Sequence, residues 1–234
     1  MSMKTCVVAG VGPGIGKACC EHYAAEGYRV VMMARNEEYL EELAQTLPAS
    51  AVVISLDLTN ESAINHAFER VLLEYGSIEV LIYNAARGSF GSFLEVEPSE
   101  LAKNFAINTM GLLYCARAVA PSMIEQKSGS ILITGNTAAT RGGAKFAAFA
   151  PSKSAARSLS QSMARELGPR HVHVAFLVVD AAVDGPFARK LRPDMPDDYF
   201  IQPAAVAEAI WFLDQQPENS WTSELDLRPH GESW

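Results

Sequence analysis

Short apolar runs alternate along the chain with longer segments in which apolar residues recur every three or four positions. The short runs are typical of buried strands, and the recurring pattern is typical of helices that cover a core with one face. The pattern predicts strands at 5–9, 29–34, 51–56, 78–83, 130–134, 172–178 and 224–227. It predicts helices at 15–27, 37–47, 61–75, 99–127, 152–168 and 203–215.

The order of these elements decides the fold class. Strands that alternate with helices form parallel sheets, because each helix returns the chain to the same edge of the sheet. Near-continuous apolar content, as in Val52-Val53-Ile54, further indicates strands that are covered on both faces. We therefore predict one α/β domain, residues 1–234, with a doubly wound (Rossmann) parallel sheet of seven strands and helices on both faces.

Segment 183–200 interrupts this alternation. It contains three prolines, Pro186, Pro193 and Pro196, and its aspartates include Asp194, Asp197 and Asp198. Long connections without regular structure often carry function. The segment is therefore predicted to be either a plain surface excursion or a lid loop on the substrate side of a site.

Composition and charge exclude some classes of partner. Hydrophobic residues make up 49% of the 234 residues, which is enough for a sizeable core. The formal net charge is −8 and basic residues form no run, so neither a nucleic acid nor a membrane partner is expected. No apolar run approaches the roughly 20 residues of a membrane span.

The N-terminus and the cysteines predict a cytoplasmic protein. The residues before the first strand are too few for the apolar core of a signal peptide. The four cysteines form no Cys-x-x-Cys pair and show no spacing typical of a metal site. Adjacent Cys19 and Cys20 are interpreted as small buried thiols on a helix rather than as a redox pair.

A glycine-rich turn lies between the first predicted strand and the first predicted helix. Gly10 permits the tight turn, and Gly16 lets the helix pack closely on the strand. Gly12 and Gly14 leave the backbone open to a diphosphate, which the amides of the helix N-terminus would then face. The predicted diphosphate site consists of Gly10, Gly12, Pro13, Gly14, Ile15 and Gly16.

The end of the second predicted strand favours NADP over NAD. In dinucleotide folds an acidic side chain near this point holds the ribose hydroxyls of NAD. Here Ala34 supplies no carboxylate, and Arg35 supplies a guanidinium that can pair bidentately with a 2′-phosphate. The alternative is that Arg35 is an ordinary solvent-exposed arginine.

Further motifs follow the glycine turn in order. Asp57-Leu58 and Asn84-Ala85 follow the third and fourth strands, Asn108 lies in the long helix, and Lys153 lies near the start of the next helix. Together with the Gly-x-x-x-Gly-x-Gly spacing, they resemble the short-chain dehydrogenase/reductase family over nearly the whole chain.

The resemblance implies roles for these residues. Asn108 is expected to hold a water of a proton relay, and Lys153 is expected to bind the nicotinamide ribose. Besides the glycine turn and Arg35, the implied cofactor-binding residues are Asp57, Leu58, Asn84, Ala85, Lys153 and Val183. The resemblance also implies a small-molecule substrate and a homodimer or homotetramer.

The departures from the family lie at its chemistry. Phe149 stands at the position of the family's tyrosine acid, and Asn136 stands at the position of its serine. A phenyl ring cannot give up a proton, whereas an asparagine amide can still donate a hydrogen bond to a carbonyl oxygen. The predicted reaction-site residues are Lys153, Asn108, Asn136 and Phe149. The open proton sources are a water on Asn108 and Lys153, or the carboxyl group of Asp180 or Asp184.

Five phenylalanines come from segments that border the family's substrate site: Phe90, Phe93, Phe146, Phe149 and Phe187. They predict either ordinary core packing or an apolar ligand pocket.

The sequence thus predicts an NADP-dependent oxidoreductase with atypical acid catalysis. It would transfer a hydride to or from a small carbonyl compound, alcohol or activated alkene. The alternative is a non-catalytic NADP(H)-binding regulatory protein of the same fold, because both hydroxyls of the site are missing. Non-redox chemistry, as in dehalogenase relatives, is disfavoured because the glycine turn is intact.

Overall fold

The computed structural model describes residues 3–48 and 50–231. Seven parallel strands form one sheet: β1 (Thr5–Ala9), β2 (Arg29–Ala34), β3 (Ala51–Ser55), β4 (Val80–Tyr83), β5 (Ser130–Asn136), β6 (His173–Val179) and β9 (Glu224–Leu227). Their order across the sheet is β3-β2-β1-β4-β5-β6-β9. Two short strands, β7 (Ala182–Val183) and β8 (Phe200–Ile201), pair separately. The predicted α/β sheet of seven strands is confirmed.

Helices cover both faces of this sheet, as predicted. They are α1 (Ile15–Ala25), α2 (Glu37–Thr46), α3 (Glu61–Tyr75), α4 (Pro98–Phe105), α5 (Gly111–Gln126), α6 (Ala150–Leu167), α7 (Pro186–Leu191) and α8 (Pro203–Asp214). Alternate residues of a strand point to opposite faces, so Val7 joins a core with α3, α5 and α6, while Val8 joins a core with α1, α2 and α8. Because all seven strands of the sheet run parallel, their carboxyl ends meet at one edge of it.

Strand β3 differs from the expectation that its apolar run is covered on both faces. Val52, Val53 and Ile54 are only half-buried. The reason is that β3 is the edge strand of the sheet, where the covering helices end. An apolar run alone does not distinguish an edge strand from a central one.

The predicted helix 99–127 is interrupted by a π-helical turn, Ala106–Met110, between α4 and α5. The turn is held by tertiary hydrogen bonds: the Tyr83 hydroxyl donates to the carbonyl of Ile107, and Thr109 Oγ1 donates to the carbonyl of Ser152 at 2.8 Å. Such single π turns occur frequently at functional sites. This one contains Asn108.

Segment 183–200 was expected to lack regular structure, and that expectation is wrong. It contains the parallel pair of β7 with β8, helix α7 and a 3-10 turn at Asp197–Tyr199. Arg189 holds it together by donating to Asp184 at 2.7 Å and to Asp197 at 2.6 Å, while its guanidinium lies 4.2 Å from the centre of the Phe200 ring. The predicted role of this segment as a lid stays a prediction.

All four cysteines are buried and unpaired, as interpreted from the sequence. Burial raises the pKa of Cys19 to about 12, so this thiol stays protonated at neutral pH. Among the described helices, none combines the length and apolar character needed to cross a membrane.

Candidate active site

A cleft of about 810 Å³ opens at the carboxyl edge of the sheet. Its walls come from the turn between β1 and α1 and from the ends of β2, β3 and β4, with Val183 of β7 opposite. This is the edge at which doubly wound sheets bind their ligands. The cleft brings together the predicted cofactor residues Gly10, Gly12, Pro13, Gly14, Ile15, Gly16, Arg35, Asp57, Leu58, Asn84, Ala85 and Val183.

The glycines of the turn divide into two kinds. Gly10 has a φ of 99°, and a Cβ there would collide with the backbone of Ala85, while a Cβ at Gly16 would lie 2.7 Å from the Gly10 carbonyl oxygen. By contrast, a Cβ at Gly12 would meet nothing within 4 Å, and one at Gly14 would approach only Val183, at 3.9 Å. The fold itself thus requires Gly10 and Gly16. Gly12 and Gly14 instead keep open a space that a side chain would fill.

Substitution should separate these two kinds of glycine. We expect Gly16→Ala to lower the free energy of unfolding by about 1–3 kcal/mol, because the added methyl group overpacks the turn. We expect Gly12→Ala to change it by less than about 0.5 kcal/mol, since its Cβ has room. Urea unfolding of both variants checks this, and equal losses of stability would contradict the distinction.

The N-terminus of α1 faces the open side of the turn. Its N-cap is Gly14, no side chain among the described residues caps it, and its first turn contains no acidic residue. Uncapped amides and the positive end of the helix dipole favour an anion. The residues present therefore fit a diphosphate.

Asn84 fixes the turn to the sheet. Its Nδ2 donates to the Gly10 carbonyl at 2.8 Å, and its Oδ1 accepts from Thr134 Oγ1 at 2.9 Å. Ala85 is buried against Gly10. Both residues line the cleft, and Asn84 also connects the turn with β5.

Arg35 and Asp57 lie at the rim of the cleft. Arg35 is exposed, and within the described residues its guanidinium makes no hydrogen bond or ion pair. Asp57 accepts from the backbone N–H of Thr59 at 2.9 Å and from its hydroxyl at 2.8 Å. The backbone N–H of Thr59 in particular lowers the pKa of Asp57, so this carboxylate is ionised at neutral pH. Arg35 is therefore an exposed cation whose charge acts on the nearby carboxylate of Asp57.

Lys153 is buried and is not among the residues that line the cleft, so the structure does not bring it together with the other predicted cofactor residues there. Its side chain is 5% exposed, its Nζ donates to the carbonyl of Thr134 at 3.3 Å, and no carboxylate in the described part of the chain pairs with it. Burial lowers the pKa of Lys153 to about 8. This amine therefore exchanges its proton near physiological pH.

Asn108 is a positioning residue in the structure. Its Oδ1 accepts from the backbone N–H of Arg87, and its Nδ2 donates to the Arg87 carbonyl and to Ser152 Oγ, all at 2.8–2.9 Å. The amide thus ties the loop after β4 to the start of α6. The water-holding role expected for Asn108 stays a prediction.

Phe149 precedes α6 and belongs to an aromatic cluster. Only 6% of it is exposed, and its ring centre lies 5.8 Å from that of Phe90 and 6.4 Å from that of Phe146. The core interpretation thus holds for Phe149, but Phe90, Phe93 and Phe187 are all more than 60% exposed. No proton can come from this cluster.

Asn136 ends β5 beside this region. Its Oδ1 is buried and has no hydrogen-bond partner among the described residues. A buried polar atom without a partner costs about 1–3 kcal/mol, so native proteins rarely keep one without a reason. The contacts within the described chain therefore do not explain why Asn136 is kept at this position.

The two aspartates considered as proton sources are both ionised. Asp180 accepts from the Thr137 hydroxyl and pairs with Arg228 at 2.5 Å. Burial acts to raise the pKa of Asp180, but these hydrogen bonds outweigh it and hold the pKa below its ordinary value. Hydrogen bonds from Arg189 and Gln202 lower the pKa of Asp184 to about 2. Neither carboxyl group holds a proton at neutral pH.

Known proteins share both this sequence pattern and this fold. A sequence profile of the short chain dehydrogenase family matches residues 4–195. The chain belongs to the short-chain dehydrogenase family. A crystal structure of a short-chain dehydrogenase from Rhodopseudomonas palustris is 34% identical, covers 97% of this chain and 99% of its own, and superposes with a TM-score of 0.83.

Two other proteins are similar over almost their full length. A metagenomic short-chain oxidoreductase solved in complex with NADP is 29% identical, covers 98% of each chain and has a TM-score of 0.85. An uncharacterized oxidoreductase of Staphylococcus aureus is 26% identical over 230 residues, which is 97% of each chain. The family is thus one of oxidoreductases.

Two cations of this short-chain dehydrogenase line the cleft without having been predicted. Arg87 and Lys103 share Glu100, with nitrogen–oxygen distances of 2.7 and 2.8 Å. Arg87 lies four residues after the end of β4, and this position at the carboxyl edge of the sheet could have indicated a residue of the cleft. Lys103 lies within α4, where nothing in the sequence distinguishes it from a solvated lysine. Within residues 3–48 and 50–231, no cluster of metal-ligating side chains is present.

Proposed function

We propose that this short-chain dehydrogenase is an NADP-dependent oxidoreductase that acts on a small carbonyl compound, alcohol or activated alkene with atypical acid catalysis. The observation that carries the proposal is the open side of the glycine turn. Gly12 and Gly14 are not required by packing, and they lie beside an uncapped helix end that favours an anion. A turn built only for the fold would not need this space.

Different residues of the chain can hold different parts of NADP. The amides of the turn would hold the diphosphate, Arg35 would pair with the 2′-phosphate, and Lys153 would contact the nicotinamide ribose. The coenzyme supplies hydride transfer when it is bound. The protein supplies orientation, exclusion of water and the proton.

Lys153 is the proposed source of that proton. The phenol of the family is absent at Phe149, and Asp180 and Asp184 are ionised and bound to arginines. Lys153 is buried, has a single carbonyl partner and has a pKa of about 8. Its ammonium group can therefore protonate an oxygen that gains negative charge, while Asn136 holds that oxygen in place.

The choice of coenzyme is tested at Arg35. We expect Arg35→Ala to raise the Kd for NADPH about 10- to 100-fold, because hydrogen bonds to a charged phosphate contribute about 1.5–3 kcal/mol. The Kd for NADH should stay the same, since NADH carries no 2′-phosphate. Isothermal titration calorimetry with both coenzymes checks this.

Arg117→Ala is the matched control, because this exposed arginine on α5 has the same charge and lies outside the cleft. An equal loss of NADPH affinity in both variants would show a general charge effect. Wild-type protein that prefers NADH would contradict the assignment of NADP.

The activity itself is tested with a panel of carbonyl compounds and enones, by following NADPH oxidation. The second candidate function is a non-catalytic NADP(H)-binding regulatory protein, and the buried phenyl ring of Phe149 favours it. Tight NADPH binding with no turnover of any compound would favour this candidate over the enzyme. The homodimer or homotetramer expected from the resemblance stays a prediction.

A further inference from the structure

We infer that the substrate carries an extended apolar body, which two exposed apolar patches hold on either side of Asn136. The inference rests on the proposed function and specifies its substrate class. The β4-loop patch consists of Phe90, Phe93 and Leu94, which are 61%, 75% and 80% exposed. The α7 patch consists of Phe187, Leu191 and Met195, which are 73%, 60% and 41% exposed.

The concentration of these side chains is unusual. Six of the ten large hydrophobic residues that are exposed in the described chain fall in these two segments. Single exposed apolar side chains are ordinary, whereas neighbouring ones mark binding surfaces. Folding therefore leaves apolar area uncovered mainly where the two patches lie.

The sheet order puts the patches on opposite sides of one strand end. The β4-loop patch follows β4 and the α7 patch follows β6, and these strands are the two neighbours of β5. Neighbouring strands lie about 5 Å apart, so the ends of β4 and β6, from which the two patch-bearing segments start, lie about 10 Å apart. The end of β5, with Asn136, lies between these two strand ends.

The β4-loop patch is joined to the reaction site by direct contacts. Gly91 N donates to the carbonyl of Lys145 at 2.8 Å, which fixes the loop to the segment before α6. The Phe90 ring packs edge-on against Phe146 at 5.1 Å and against Phe149 at 5.8 Å. An apolar surface thus continues from the solvent to the buried ring at position 149.

Asn136 supplies the polar end of this surface. Its buried oxygen lacks a partner, and an alcohol hydroxyl would satisfy it. With the amide turned over, the buried atom is the nitrogen, and a carbonyl oxygen would satisfy that instead. Either orientation fits a compound with an alcohol or carbonyl group near one end and hydrocarbon beyond it.

The test is equilibrium dialysis of an unbranched series of 2-alkanones, from butanone to decanone, against the NADP-loaded protein. We expect the Kd to fall up to about fourfold for each added methylene that is buried. In Phe93→Ser/Phe187→Ser the dependence on chain length should be largely lost, because one side chain is removed from each patch.

The matched control is Leu73→Ser/Phe212→Ser. These side chains are 87% and 58% exposed, but they lie near the C-terminal ends of α3 and α8, toward the opposite edge of the sheet. This variant should keep the wild-type chain-length dependence. Thermal melting of both double variants verifies that each is folded.

Three results would overturn the inference. They are a Kd that does not depend on chain length, the same dependence in the patch variant as in wild type, and loss of an oligomer in the patch variant, which would make the patches a subunit interface. The proposed function fails differently, through absence of NADPH binding or of turnover. Dialysis reports ketone binding whether or not the ketone is reduced.

Discussion

The double variant Phe149→Tyr/Asn136→Ser is expected to reduce simple ketones about 10²-fold faster than the wild-type protein. A well-placed general acid contributes about 10²–10⁴-fold, and we take the lower end because Lys153 already supplies part of this effect. Position 149 lies one helical turn before Lys153, so a phenol there would share a helix face with the ammonium group. NADPH oxidation at saturating ketone measures the gain.

Phe146→Tyr/Asn136→Ser is the matched control for this variant. It adds the same phenol to the same aromatic cluster, but not at position 149, one helical turn before Lys153. It should give little gain. An equal gain in both variants, or none in either, would mean that the site does not hold the geometry of a short-chain dehydrogenase.

Lys153→Met is expected to lower the rate of ketone reduction about 10²-fold at saturating NADPH, because it removes the proposed proton source. In the wild-type protein the rate should fall as pH rises through about 8, the pKa to which burial lowers Lys153. That fall should be absent from the residual rate of the variant. The pH dependence of kcat, measured separately from KM for both substrates, checks this.

The melting temperature of Lys153→Met distinguishes loss of the proposed proton source from unfolding of the variant. The folded-state pKa of Lys153 lies below that of a free lysine. The stability that the neutral amine contributes is therefore present above the pKa of the unfolded state and is lost as pH falls through about 8. Replacement by Met removes this buried charge. We therefore expect the variant to melt at or above the wild-type temperature at neutral pH. Lys17→Met, on the solvated side of α1, should leave the rate and its pH dependence unchanged.

The parts that the sequence predicted well are those fixed by local rules. Gly10 and Gly16 follow from the turn between a strand and a helix, and the strands follow from their apolar runs. Arg35 was found because it directly follows the second strand, and the carboxyl ends of the strands meet at one edge of a doubly wound sheet. Asp57, after the third strand, was found through the resemblance to the family. Their position was therefore predictable, although their ligands were not.

The parts that it did not predict depend on contacts between distant segments. The π turn around Asn108 is held by Tyr83 and Ser152, which lie 24 and 43 residues from their partners in it. Asp180 is ionised because Thr137 and Arg228 reach it from two other elements. No pattern within a short window contains such partners, so the sequence alone could not show that Asp180 is ionised.

Asn84 has a consequence for how variants of this protein should be interpreted. Through its amide, the Gly10 carbonyl is linked to Thr134, and Thr134 in turn accepts from the Lys153 ammonium. Hydrogen bonds thus connect the glycine turn at the cleft with Lys153, the proposed proton source. If Lys153 acts as proposed, a substitution that displaces Asn84 is expected to change NADPH affinity and the rate of ketone reduction together.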